Sequence, residues 1–320
     1  MLLRYLKSYI CNSVAELRLN INDMAAIEDR YISLLTDFGF KRIFGTAPNK
    51  DLLINFLNCL FAGRKVIKNI MYLNGEHFGE IQSARKAIFD VYCEDENGKK
   101  FIVEMQNAYQ EFFKDRALFY STFPIREQAK KGSDWDFNLT NIYTVALLNF
   151  DLKDEAFDAD KICHTVKLCD IETNKVFYHK LDFIYVEISK FNKTEDELET
   201  LYDKWLYVLK NLSKLENRPK ALVDKLFDRL FEEAEIARFT PTELREYEDS
   251  LKAYRDIKNS LDTAKREGRD EGIEIGREEG RAEGEQSKAI DIAKNLKSMG
   301  LSIADIKKAT GLSEDDIMKL

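Results

Sequence analysis

The sequence of 320 residues contains no apolar run of about 18 residues, which excludes a membrane-spanning helix. Its opening, Met1-Leu2-Leu3-Arg4-Tyr5-Leu6-Lys7, is too short in apolar residues for a signal sequence, so a soluble cytoplasmic protein is expected. Positive charge is not in excess either. With 57 acidic against 49 basic residues the net charge is −8, and any binding to nucleic acid must come from a local patch. Five cysteines (Cys11, Cys59, Cys93, Cys163, Cys169) are scattered without Cys-x-x-Cys spacing, which argues against a zinc site or a disulfide framework and for reduced thiols. His77, His164 and His179 stand apart from any zinc-type cluster. There is no P-loop and no Gly-x-Ser-x-Gly elbow. What remains to carry chemistry is the carboxylates.

The most informative stretch runs from Ala87 to Gln106. Two runs rich in aromatic and β-branched residues, Ile88 to Cys93 and Phe101 to Met105, flank Asn97-Gly98 and read as a β-hairpin. Two turns are open to it. A two-residue turn on Asn97-Gly98 sets Asp90 opposite Met105 and sends the carboxylates of Asp90 and Glu104 to opposite faces. A three-residue loop, with Gly98 left-handed in a bulge, sets Asp95 opposite Lys99 and Asp90 opposite Glu104, Cβ atoms ~4.5–5.5 Å apart. Two carboxylates so placed suit one hard divalent cation, with Gln106 next on the same face. We adopt the bulged register as the expectation.

The rest of the chain alternates. Asp37 and Lys41 sit one helical turn apart within an aromatic-rich segment, where a surface ion pair is the plain alternative to a role in binding. Leu52, Leu53, Phe56, Leu57 and Leu60 recur at helical spacing and belong to a core. Strands are expected at Val66 to Leu73, Ile142 to Phe150, Val166 to Cys169 and Val176 to Ile188, with a helix through Phe112, Arg116 and Tyr120 that stops at Pro124. A second helical piece, Ile125 to Lys131, gathers Arg126, Lys130 and Lys131, which read either as a basic patch or as a solvated helix end. This makes a mixed α/β sheet flanked by helices the expected fold class.

From Thr194 onward the pattern is almost wholly helical: Thr194-Glu195-Asp196-Glu197 is a capping signature, and amphipathic stretches follow at 195–212, 219–238 and 241–266. Glycine then recurs at every fourth position from Gly268 to Gly284 among charged residues. Each glycine costs a helix ~1 kcal/mol relative to alanine, so this stripe is either a homodimer contact or a charged linker. Three short amphipathic pieces close the chain with spacing like a helix-turn-helix, yet the third opens with Glu314-Asp315-Asp316 where a DNA-reading helix would carry base contacts.

The run Asp37-Phe38-Gly39-Phe40-Lys41-Arg42-Ile43-Phe44-Gly45, then Asp90-Val91-Tyr92, Ile102-Val103-Glu104-Met105-Gln106, Arg116 and Tyr120, and late in the chain Ile184-Tyr185-Val186-Glu187-Ile188-Ser189-Lys190-Phe191, resembles the Rpn (recombination-promoting nuclease) branch of the PD-(D/E)XK nuclease superfamily. The resemblance implies a restriction-endonuclease-like core with a helical C-terminal region, and cleavage of DNA with Mg²⁺ or Mn²⁺ that promotes recombination or transfer of mobile DNA. Carried onto this sequence, it makes Asp90 and Glu104 the metal-binding acids and Asp37 a third acid from the first helix. Lys41 and Arg116 then contact phosphate. Gln106 takes the place where most of the superfamily has lysine; an amide orients groups by hydrogen bonds but cannot carry charge. The expected organisation is an N-terminal extension (1–24), a nuclease core (25–193), a helical extension (194–260), the glycine-stripe segment (261–286) and a helix-turn-helix-like module (287–320). A non-catalytic nucleic-acid-binding or oligomerising descendant of such a nuclease is the alternative.

Overall fold

The computed structural model describes residues 29–73, 76–77, 87–129 and 136–320, with backbone alone at 76–77 and 87–88. The N-terminal extension, the polar run beyond His77 and the pair Lys130 and Lys131 lie outside them.

The aromatic-rich segment at Asp37 forms helix α1 (Asp37–Phe44), capped by Thr36, whose hydroxyl accepts the N–H of Gly39 at 3.1 Å. Gly39 is there for space: a Cβ would lie 2.1 Å from the carbonyl oxygen of Ser33. Helix α2 (Lys50–Phe61) follows, and its leucine and phenylalanine positions are buried.

Strands β1 (Ile70–Tyr72), β4 (Val91–Asp95), β5 (Lys100–Gln106), β6 (Ile142–Leu148), β7 (Cys163–Cys169) and β8 (Val176–Glu187) form one mixed sheet in the order β1-β4-β5-β6-β8-β7. Strands β5, β6 and β8 are parallel, while β4 and β1 on one side and β7 on the other run antiparallel to their neighbours. Two short strands, β2 (Glu76–His77) and β3 (Ala87–Ile88), pair separately. The predicted strands all exist with trimmed or extended ends. Residues 66–69 stay outside β1, and β7 begins three residues before the run at Val166.

Alternate residues of the sheet enter two cores, as a period of two requires. Val91, Cys93, Phe101, Val103, Val145 and Ile184 face α1, α2, α4 (Leu201–Asn211) and α5 (Lys225–Ala234). Ala146, Leu148 and Phe183 face α3 (Phe113–Glu127), and Tyr92 and Ile102 face its far end at Phe123. Helix α3 does not stop at Pro124, contrary to expectation. The missing N–H removes one intrahelical bond, worth ~3 kcal/mol with the ring clash, and burial of Phe123 and Pro124 offsets it.

The capping signature at Thr194 heads only one tight turn, Glu195–Glu197; α4 begins later under a second capping box made by Thr200 and Asp203. Helices α4 and α5 and the start of α6 (Pro241–Ser298) share the main core through Trp205, Phe227, Tyr247 and Leu251. The glycine stripe lies within α6 as regular helix, and a Cβ on any of its five glycines would meet nothing within 4 Å. The chain divides into two compact units, one ending at Asp256 and the other from Ile257 to Leu320. In the second, α7 (Ile303–Thr310) and α8 (Glu314–Lys319) pack Ile306 and Ile317 on Ala293.

The hairpin takes the bulged turn. Asp95 N–H bonds to the carbonyl of Lys99 at 2.9 Å, Gly98 N–H to that of Asp95 at 3.0 Å, and Gly98 has φ of +71°. Asp95 Oδ1 also accepts the N–H groups of Asn97 and Lys99, each at 2.9 Å. A side chain at that backbone angle is strained, so Gly98→Ala should lower stability by ~1 kcal/mol in a urea titration. An unchanged midpoint would mean that the left-handed turn is not required.

Candidate active site

Because Asp95 faces Lys99, the β4–β5 ladder pairs Tyr92 with Ile102 and Val91 with Val103. One step further, Asp90 meets Glu104. The two are locked by reciprocal bonds: Glu104 Oε1 accepts the N–H of Asp90 at 3.3 Å, and Asp90 Oδ2 accepts the N–H of Met105 at 2.8 Å. Each carboxylate therefore has one oxygen tied to the opposite strand, while the second oxygen of Glu104, Oε2, is approached by Gln106 and Arg116. Glu104 is 5% exposed.

Burial so close to a second acid disfavours both charges. Desolvation first, then the charge of Asp90, pushes the Glu104 carboxyl up to about 8. Desolvation likewise raises Asp90, opposed by its bond from Met105. Lys41 and Arg116 both act the other way on both acids, so these two cations lie within electrostatic reach of the pair.

Helix α3 places Arg116 over the pair. Its Nη2 is 3.7 Å from Glu104 Oε2, while Nη1 donates to Gln110 Oε1 at 2.8 Å. The guanidinium lies 5.6 Å from the Phe113 ring centroid and 5.4 Å from that of Tyr120. Gln106 continues the face of Glu104 and donates to its Oε2 at 3.4 Å.

Asp37 stands at the mouth. It helps to line a pocket of about 590 Å³ with Lys41, Arg42, Asp90, Glu243 and Ser250. Its carboxylate is bound to Lys41 Nζ at 2.8 Å with 61% of the side chain exposed, which is the surface ion pair that the i, i+4 spacing allowed. Among the described residues no group of three His, Cys, Asp or Glu side chains is close enough to hold a metal ion. The structure thus brings Asp90, Glu104, Gln106 and Arg116 together, with Asp37 and Lys41 beside them.

Sequence reasoning missed the part played by α6. Ser250 Oγ accepts the N–H of Phe38 at 3.0 Å, Tyr247 accepts that of Ser33 at 3.0 Å, and Glu243 binds Arg42 at 2.6 Å. These contacts span more than 200 residues, and the only local sign was the amphipathic start at Pro241. Asn107, also missed, donates to the carbonyl of Leu35 at 2.6 Å and so ties the end of β5 to the approach to α1.

A mixed sheet flanked by helices, with two acids paired on adjacent strands, is what the motif order implied. The family model of the PD-(D/E)XK nuclease family transposases matches residues 34–264. The chain belongs to this family. No curated protein and no solved structure matches it. PD-(D/E)XK nucleases are hydrolases of DNA that generally use divalent metal ions, and no described helix is long and apolar enough to cross a membrane. The donor set fits such an ion. Two hard carboxylate groups lie side by side, Glu104 Oε2 held only by a long 3.4 Å bond from Gln106 and by Arg116 at 3.7 Å, and their mutual repulsion is what a cation relieves.

The raised acids make a prediction for the metal-free protein. A carboxyl whose folded pKa lies above its unfolded value favours unfolding once it must ionise, so stability falls as pH rises from about 4.5 toward about 8. Glu104→Gln removes that cost. In chelator, its melting temperature should exceed that of the wild type at pH 8.5 and differ little at pH 4.5. Equal gains at both would detach Glu104 from the effect.

Proposed function

We propose that the chain is a metal-dependent deoxyribonuclease that hydrolyses phosphodiester bonds and promotes recombination or transfer of mobile DNA. The reading is carried by the half-buried Asp90 and buried Glu104 carboxylates, interlocked next to each other on β5 and the approach to β4 in a chain of this family.

Asp90 and Glu104 would hold Mg²⁺ or Mn²⁺, with Asp37 able to join by leaving Lys41. Bound there, the ion supplies Lewis-acid polarisation of a phosphate oxygen and a bound water of lowered pKa. Gln106 directs one amide N–H at Glu104, and its carbonyl is able to accept a hydrogen bond from water and orient it. Arg116 offers a planar guanidinium held by Gln110 and two aromatic rings, and this suits the non-bridging oxygens of a phosphate. Lys41 contacts the phosphate as a point charge from α1. Met105 N–H holds one Asp90 oxygen in place, so the other turns outward without rotamer search.

Purified protein incubated with plasmid DNA and Mg²⁺ or Mn²⁺ should nick or cut it, and Asp90→Ala should lower the rate by 10²-fold or more. If wild type and variant leave the plasmid equally intact across divalent metals, the non-catalytic alternative stands, for which Gln106 in the lysine position is the supporting feature.

For the C-terminal unit we propose a homodimer through the glycine stripe, because Ile273 and Ile275 are exposed beside it and no atom of the described residues lies within 4 Å of where a Cβ would stand on these glycines. Light scattering should give twice the chain mass, and Gly276→Arg should return it to one. A monomeric wild type removes the proposal.

A further inference from the structure

A groove of about 740 Å³ lies on the other face of the sheet from the acid pair, between α2, the start of β7 and the start of α4. Its floor is apolar, made by Cys59, Leu60, Ala62 and Leu201, and its polar groups include Arg64, Lys161 and Thr165. In sheet order β7 is three strand spacings from β5, about 14 Å, so the groove is no part of the acid-pair site.

Three observations define what it would accept. Arg64 and Lys161 both act on the Cys163 thiol from nearby, yet neither has a carboxylate partner among the described residues. The Arg64 guanidinium is steadied by its Nε–H bond to the carbonyl of Phe61 at 3.2 Å. The Tyr202 hydroxyl is buried against the Cys163 thiol and interacts with it, not with the groove. The nearby acid, Asp203, is already neutralised by Lys193 at 3.0 Å and occupied by the N–H of Thr200. Burial keeps both thiols protonated, so neither is a nucleophile or a ligand for a soft metal.

Two cations without a carboxylate partner ask for an anion of charge near two with several acceptor oxygens, and the apolar floor asks for a body behind it. A phosphate monoester has both, carrying about −1.5 to −2 at neutral pH, whereas a carboxylate carries only one charge. We propose that this groove binds the phosphate monoester of a small molecule with an apolar body, independently of the nuclease site.

Calorimetric titration of the full chain in chelator, with thymidine 5′-monophosphate, glucose 6-phosphate, inorganic phosphate and benzoate in turn, tests this. At least one monoester should bind more tightly than phosphate or benzoate. Arg64→Ala and Lys161→Ala should each weaken it tenfold or more, in variants whose melting temperatures show that they fold, while Glu104→Gln should bind as the wild type does. Tighter binding of the thymidine ester would show that the apolar floor reads the body of the ligand, whereas equal binding of the glucose ester, whose body is polar, would overturn the role given to that floor. The proposal is overturned if no monoester binds at millimolar concentration, if benzoate binds as well, if both cation variants bind unchanged, or if Glu104→Gln abolishes binding.

Discussion

The pairing of β4 with β5 is decided at the hairpin, where one residue occupies the left-handed region of backbone space. Gly98 does so without steric cost, and Asp95 anchors the loop by accepting two backbone N–H groups. A slip of one residue would turn every side chain of β5 to the other face. Val103 and Met105 would then leave the main core for the face of α3, and Glu104 would enter a layer built of leucine and phenylalanine. The hydrophobic pattern and the turn therefore demand the same register, and the juxtaposition of the two acids is a result of both.

That juxtaposition works against folding. Two carboxylates a strand apart, one buried and one half-buried, repel one another, and the fold answers with backbone N–H groups aimed at one oxygen of each and cations held near by. The scaffolding comes from widely separated parts of the chain. Helix α3 supplies Arg116, and Gln110 and the rings of Phe113 and Tyr120 keep its guanidinium in position. Helix α1 supplies Asp37 and Lys41, and is itself held by Tyr247 and Ser250 from α6. The polar groups thus have little freedom before any substrate arrives.

What could be read from the sequence was the local and periodic part. Alternation over Ile102 to Gln106 gave the faces of β5, helical spacing over Leu52 to Leu60 gave the buried side of α2, and Asn97-Gly98 narrowed the turn to two choices. Pro124 misled because its penalty is local whereas the burial that offsets it is not. Thr194 to Glu197 misled in the opposite way. A capping box satisfies the first N–H groups of a turn whether or not a helix continues, and here the chain leaves helical geometry at Leu198 before a second box starts α4. The hold of α6 on α1 depends on distances between segments that no spacing rule encodes, whereas the Asp37–Lys41 ion pair is the one that their i, i+4 spacing allowed.

Helix α6 belongs to the main core at Tyr247 and Leu251 and runs on without a break to Ser298, so the border between the two compact units falls inside a helix and not in a loop. Module exchange must respect that seam. A chimera joined at a glycine of the stripe keeps the hydroxyls that anchor α1, and it can replace the C-terminal helices while leaving the carboxylate pair undisturbed. A chimera joined at Pro241, the first residue of α6, would take away the wall of the pocket together with the appendage.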